Sequence, residues 1–325
     1  MRTRRAYVWL AVMVFAVAAL AGCMRHSGEP GTLDRKFAVD GPVRLELTNG
    51  SGDSKVIAGP PGEVRVHAEF RVRSWSATSA QRLMADLRAN PPISQEGNLI
   101  RIGGSVVSLG GTTIDYTIML PAASQIRGTA GSGRIEITGV EGPVNLTAGS
   151  GNISATGISG DVLARTGSGT IQLAAIQGEV EATTGSGDVN LADVHGGIRV
   201  QTGSGTIRMA QPAGAVVASS GSGSVDAAGV KDDLRVRTNS GSIVVVGDPQ
   251  TTTYWDLRAS SGNVALQVPA TASFRFYART GSGDINAAIP IVMEGTAGKH
   301  ELHARIGDGK ARVEVETTSG SIALH

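Results

Sequence analysis

The chain has a single cysteine, Cys23, in 325 residues, so no disulfide forms within it and a disulfide-stapled scaffold is excluded. Aromatic residues make up 4% of the sequence, and none stands between positions 117 and 253. A surplus of one charge is lacking too. The formal net charge is +1, and the three arginines at positions 2, 4 and 5 all precede Cys23. From Cys23 onward 26 basic residues face 28 acidic ones, and no basic stretch remains to neutralise phosphates, which excludes nucleic acid as a partner. Glycine is abundant at 45 residues but has no three-residue period, so the chain is not a collagen. With 41% apolar residues it is not generally disordered either.

Residues 1–22 carry a basic head (Arg2, Arg4, Arg5), an uncharged run over 6–21 and a small-residue end. The run is short for a bilayer span of about 20 residues and has the layout of an export signal. An ordinary signal peptide would leave a soluble secreted protein. Leu20-Ala21-Gly22-Cys23 resembles a bacterial lipobox. That resemblance implies cleavage before Cys23, a diacylglycerol on its sulfur and an acyl chain on its amine. Cys23 is then a lipid-attachment site, and two or three chains hold a protein durably on a membrane. Met24 stands where an inner-membrane retention signal would place aspartate, so the resemblance favours the outer membrane. Residues 23–36 read as a tether.

The tetrads at 130–133, 148–151, 166–169, 184–187, 202–205 and 220–223 read Ala/Thr/Ser-Gly-Ser-Gly and recur every 18 residues. Thr238-Asn239-Ser240-Gly241 keeps the step, and the copies at 259–262 and 280–283 each follow after 21. Two residues past each corner comes Ile135, Ile153, Ile171, Val189, Ile207, Val225, Ile243, Val264 or Ile285. A second apolar position follows two further on, with polar residues such as Glu136, Gln172 and Arg208 between. That is the period of a strand. Each turn repeats itself after nine residues: Val144, Val162, Val180, Ile198, Val216 and Leu234 head the second half.

The pattern predicts an all-β fold, a single-chain parallel β-solenoid with turns of 18 to 21 residues, two strands and two glycine corners per turn. Identical residues stack in register, so the Ile/Val columns fill an interior that no single turn could bury. Ten or so turns make a rod about 50 Å long. The regular solenoid is expected over 128–293, a β-rich N-terminal cap over 37–127, and C-terminal turns and a cap over 294–325. In the N-terminal cap strands are expected over 37–39, 43–47, 64–72, 99–102 and 113–120, with a helix over 78–89. Asn49-Gly50-Ser51-Gly52-Asp53 reads as an imperfect early corner and Thr318-Ser319-Gly320-Ser321-Ile322 as a last one. The aromatics Tyr254, Trp255, Phe274, Phe276 and Tyr277 are expected to fold over the core or to close the end.

The repeat Thr-Gly-Ser-Gly-x-Ile followed by Val-x-Gly-x-Val, after a strand ending in Leu120-Pro121, resembles the adhesin-labelled bacterial domains of unknown function called the DUF4097/DUF2807-like group. The resemblance runs from about residue 37 to 322. It implies a β-helical exported or surface-associated protein, and it brings no catalytic residues to carry over.

Calcium-binding nine-residue repeats place aspartate where this chain has Ile135 and its successors, so hard-cation ligands are missing. A phosphate loop would need a lysine and a following helix, and neither follows these glycines. His300 and His303 are the one close histidine pair, and His195 reads as a surface residue. No metal or cofactor is expected. A carbohydrate-active enzyme would draw on Asp188, Asp193 and Asp226, which do not converge in the predicted columns. The expected function is therefore non-enzymatic. It is that of a lipid-anchored cell-envelope protein presenting a polar face: Arg134, Asn152, Thr170, Asp188, Thr206, Ser224, Ser242, Asn263 and Asp284. The membrane, reached through Cys23, is one partner; an envelope protein, a glycan or a second copy is the other. The alternatives are a scaffold that polymerises through uncapped ends and a carbohydrate-active enzyme.

Overall fold

The structure, a computed structural model, describes residues 26–27, 30–74, 76–104 and 111–325. Two 15-stranded sheets enclose one aliphatic interior. Through the middle of the molecule each turn gives one strand to each sheet. Ile135–Thr138, Ile153–Ile158, Ile171–Ile176, Val189–Val194, Ile207–Ala210, Val225–Val230 and Ile243–Gly247 run through the first sheet. Val144–Ala148, Val162–Thr166, Val180–Thr184, Ile198–Thr202, Val216–Ser220 and Leu234–Thr238 run through the second. All pair in parallel, with Ile153 opposite Ile171 and Val162 opposite Val180. This is the β-solenoid that the repeat predicts. Its two ladders give a rod on the order of 60–70 Å, longer than the sequence estimate because both ends add strands.

Alternation puts every other side chain inside. Ile135, Ile153, Ile171, Val189, Ile207, Val225 and Ile243 are each 0% exposed. Burying such a side chain is worth about 1.5–3 kcal/mol, and it is buried only when a rung lies on either side. Pro212, which breaks the column Val140, Ile158, Ile176, Val194 and Val230, is buried like its neighbours.

Close approach between rungs dictates the corner glycines. A Cβ on Gly169 would lie 1.9 Å from the carbonyl oxygen of Gly151, and on Gly187 1.8 Å from that of Gly169. The residue before each corner binds two rungs together. The buried Thr166 hydroxyl donates to the Gly151 carbonyl (2.9 Å) and accepts from the Gly169 amide (3.2 Å). Thr184, Thr202, Ser220 and Thr238 repeat this pair of bonds.

At both ends the order of rungs departs from the order of the chain. Arg44–Asn49 and Ser54–Gly59 form a rung between the strands Leu99–Gly103 and Thr112–Pro121 on one side and Gln125–Ala130 and Ile135–Thr138 on the other. The early corner is genuine: the Gly131 amide donates to the Asn49 carbonyl at 2.9 Å. Correspondingly, Ala311–Thr317 and Ile322–Leu324 insert between the rung of Tyr254–Ala259 and Val264–Gln267 and that of Phe274–Thr280 and Ile285–Ala287. The solenoid ladders therefore extend beyond 128–293 into segments from both ends of the chain. The second 21-residue step spans two rungs, with the C-terminal strands between them.

Beyond the first of these rungs Glu63–Ser74 continues the first sheet antiparallel, flanked by Gly31–Ala38 and His26–Ser27. The helix Ala77–Ala89 sends Ala80, Met84 and Leu87 into the common core. At the other end the second sheet continues antiparallel through Glu301–Ile306 and Val292–Gly298. Trp255, Phe274 and Phe276 fill the interior at 0% exposure, with the Trp255 indole donating to the Asp232 carbonyl at 2.7 Å. Tyr254 and Tyr277, offset by one position in their strands, face outward instead.

Candidate functional site

Cys23, the expected lipid-attachment site, and the export signal lie outside the described residues. Among the described residues no helix is long and apolar enough to cross a membrane. No group of three or more His, Cys, Asp or Glu among them could hold a metal ion.

Four of the nine side chains in the polar corner column expected to form a free face are engaged by the fold. Asn152 Oδ1 accepts from the Thr170 amide (2.9 Å), Asp188 Oδ1 from the Thr206 amide (2.8 Å) and Ser224 Oγ from the Ser242 amide (3.3 Å). At the ends Asp53 Oδ1 takes the Arg134 amide (2.9 Å) and Asn263 Oδ1 the Ser321 amide (2.9 Å). Through these atoms the side chains cap the amide of the next rung and stabilise the rod along its axis.

The carboxylates weighed for catalysis are similarly tied. Arg208 stands between Asp188 (3.4 Å) and Asp226 (3.9 Å), and Asp193 lies at a left-handed corner (φ 55°) beside His195 at 4.0 Å. His300 and His303 are not brought together: His300 Nδ1 contacts the Gly283 carbonyl at 3.1 Å, and His303 Nε2 pairs with Glu301 at 3.0 Å.

The outer faces of the two sheets remain. A groove of about 750 Å³ follows the second sheet, with Arg127, Glu181 and Arg199 on its floor beside Leu163 and Val217. A groove of about 530 Å³ follows the first sheet over small side chains, Ala174, Ala192, Ala210 and Ala228. Both are corrugations along regular ladders.

The C-terminal end of the second sheet differs in chemistry. Insertion of Ala311–Thr317 brings Tyr254, Arg312 and Arg275 into one row and Asp256, Glu314 and Tyr277 into the next. The Arg312 guanidinium lies 5.2 Å from the centre of the Tyr277 ring and 5.8 Å from that of Tyr254, in cation–π geometry. It also donates to Glu314, whose other oxygen accepts from the Tyr254 hydroxyl at 2.5 Å. Burial and then the Glu314 carboxylate raise the Tyr254 pKa. Burial opposes ionisation of Glu314, but the bonds from Tyr254 and Arg312 prevail and hold its pKa below the ordinary value. The His303 ring meets Tyr277 edge-on at 5.0 Å. Asp256, 2% exposed, is ringed by Arg258 (2.9 Å), Arg235 (3.5 Å) and Arg237 (3.7 Å). Sequence reasoning had these aromatics fold over the core or close the end and missed the cluster, whose members come from strands separated in the chain. The signal open to it was the spacing of Tyr254 from Trp255 and of Tyr277 from Phe276, one residue out of the inward phase.

Residues 119–228 and 213–325 match the family model described as Toastrack DUF4097. The chain belongs to this family. No curated protein matches it. Among solved structures, similar ones include a protein of Bacteroides fragilis provisionally named an adhesin, at 10% identity over 91% of this chain and 97% of that chain, with a TM-score of 0.39. Another provisionally named adhesin, from Parabacteroides distasonis, is 11% identical over 92% and 98%, with a TM-score of 0.39. A provisionally named cell adhesion protein of Clostridium sporogenes is 15% identical over 91% and 99%, with a TM-score of 0.25. At such low identity and TM-score these names do not extend to this Toastrack chain.

Proposed function

We infer that this Toastrack protein is a non-enzymatic binding or structural component of the bacterial cell envelope, exported and held on a membrane, in an outer-membrane cell envelope the outer one, by acyl chains on Cys23. The observation that carries the binding half of this reading is the pair of long outer sheet faces laid over an aliphatic interior, with the tyrosine–arginine cluster at one end. A rigid ladder of this kind displays side chains at fixed spacing and suits a partner that is itself extended. Of the acids weighed for glycan cleavage, Asp188 and Asp226 meet at Arg208 while Asp193 stands apart beside His195, and turnover of an envelope glycan lost on changing Asp188 would overturn the non-enzymatic reading. The anchoring half rests on the sequence Leu20-Ala21-Gly22-Cys23 after a basic and apolar leader.

The test is metabolic labelling with a palmitate analogue followed by membrane fractionation. The native protein is expected to take up label and sediment with membranes, and Cys23→Ala to do neither. An unlabelled native protein, or a labelled Cys23→Ala protein, overturns the anchor. End-to-end polymerisation is less favoured. The helix Ala77–Ala89 packs against one end of the rod, while at the other the second sheet ends in an antiparallel hairpin and the first in the short edge strand Ile285–Ala287, so the ends are not two matching bare edges.

A further inference from the structure

At the C-terminal end of the rod the first sheet stops short of the second. Phe274–Thr280 and Ile285–Ala287 form the last rung shared by both sheets. Beyond it the first sheet has no strand among the described residues, while the second continues through Glu301–Ile306 and Val292–Gly298. The result is a step two strands deep, about 10 Å. Its floor is the uncovered end of the aliphatic interior. Ile285 and Ala287 are half-buried, whereas Ile322 and Leu324, their neighbours one rung inward, are fully buried. Its wall is the inner face of the overhang, where Leu302 lies opposite the buried Ala278 and Met293 opposite the buried Ala304. Met293 is nevertheless 41% exposed and Val292 beside it 52%, above the other exposed large apolar side chains described, Val217 and Val246.

The backbone at the step is open as well. The Asp284 carbonyl accepts from the Ile322 amide (2.9 Å) and the Ala288 amide donates to the Leu324 carbonyl (2.8 Å). Alternation along a parallel ladder then turns the amides of Ile285 and Ala287 to the free side. Ile285–Ala287 bears no charge, and the one charge of Val292–Gly298, Glu294, is held by Arg305 at 2.8 Å. At the opposite end the edge strand Gly31–Ala38 carries Asp34, Arg35 and Lys36, charges of the kind that discourage pairing at an edge.

We propose that this step is the interface for a second copy of the chain in a closed, two-fold dimer. Each copy is short of two strands in the first sheet and has two extra in the second, so one copy supplies the shape that the other lacks. A two-fold axis along the strand direction carries each hairpin over the floor of the other copy. Strands of the two sheets run in opposite directions, because every turn folds back at its corner. Val292–Gly298 therefore lands antiparallel to the partner's Ile285–Ala287, and Met293 and Leu302 of both copies meet in one layer. A single strand from another protein would fill only half of the step. The symmetry occupies both steps and leaves the helix-capped ends outermost, so no third copy adds. The inference goes beyond the envelope reading and does not need the acyl anchor.

The test is sedimentation equilibrium of full-length protein purified from membranes, in detergent matched to the solvent density. The native protein is expected to be a dimer at about 10 µM and to grow no larger at about 100 µM. Met293→Glu places a charge in the shared layer, and Ala287→Pro replaces an outward amide while leaving the bonds to Ile322–Leu324 in place. Each is expected to weaken association at least about tenfold. Val217→Glu and Val246→Glu, on the outer faces of the two sheets, are expected to leave it unchanged. Thermal unfolding reports whether each variant is folded, and either of the first two carries the comparison if the other is not. A native protein still monomeric at about 100 µM, or one that grows past the dimer, overturns the proposal. So does a dimer indifferent to Met293→Glu and Ala287→Pro, or one weakened as much by Val217→Glu or Val246→Glu. Palmitate labelling of Cys23 decides the anchor separately in each of these cases.

Discussion

Gly187 and Gln211 sit in the same kind of turn under opposite demands. Gly187 lacks a positive φ; it is glycine because the Gly169 carbonyl passes where a Cβ would stand, at 1.8 Å. Gln211 has φ 52° in a column where Gly139, Gly157 and Gly229 also take positive φ and Ala175 and Asp193 share the strain. Gly187→Ala is expected to lose about 2–3 kcal/mol, since a backbone must move to admit the methyl. Gln211→Gly is expected to gain about 0.5–1 kcal/mol, the left-handed penalty exceeding the added chain entropy of glycine. Urea unfolding of the two variants beside the native chain checks both signs; a neutral Gly187→Ala would mean that the rungs are not so closely stacked. The sequence distinguishes these positions only in part. Glycine at 187 recurs without exception in the corner column, whereas the mixed column Gly139, Gly157, Ala175, Asp193, Gln211, Gly229 hides its left-handed turn because residues other than glycine pay for it individually.

At the scale of strands, His67 links Gly31–Ala38 to Glu63–Ser74. Its Nδ1 lies 2.8 Å from Asp34 and its Nε2 3.5 Å from Glu69, and the Asp34 bond raises its pKa above 6.5 against the opposing effect of burial. Because the folded pKa is the higher one, protonation stabilises the fold; the contribution is complete below 6.5 and disappears as pH rises through the folded value. An NMR titration is expected to place His67 above 6.5, and His67→Gln to lose part of the stability difference between about pH 6 and about pH 8. A titration at or below 6.5 would remove the link. Glu63–Ser74 and the helix after it were legible from alternation and from Ala80, Met84 and Leu87 at helical spacing, whereas Gly31–Ala38 was not, its residues up to 36 reading as tether. The pairing of the two strands was not legible either, because nothing in alternation says which strand lies beside which. The corner column shows the same limit from another side. Asn152, Asp188 and Asn263 are polar and outward in the sequence pattern, but pattern gives no direction to a side chain, and these three turn along the rod to cap the next amide.

For the whole molecule, the unforeseen feature is that each end of the chain supplies a rung inside the stack rather than on top of it. An 18-residue period fixes neighbours only while the period continues; a corner such as Thr318-Ser319-Gly320 fits above or below any other, so sequence alone leaves its level open. The inserted C-terminal rung contacts two others, and a solenoid's stability is largely the sum of such contacts. Ending the chain at residue 310 therefore removes two interfaces where loss of an outermost rung would remove one. It also uncovers Trp255, Phe274 and Phe276, which are 0% exposed when Val313 and Val315 lie between their strands. Hydrogen exchange of that truncated protein is expected to show loss of protection in both Tyr254–Ala259 and Phe274–Thr280 while Val162–Thr166 through Ile198–Thr202 keep theirs. If Phe274–Thr280 alone lost protection, the last strands would lie outside the stack, and the rows that bring Arg312 between Tyr254 and Tyr277 would not exist.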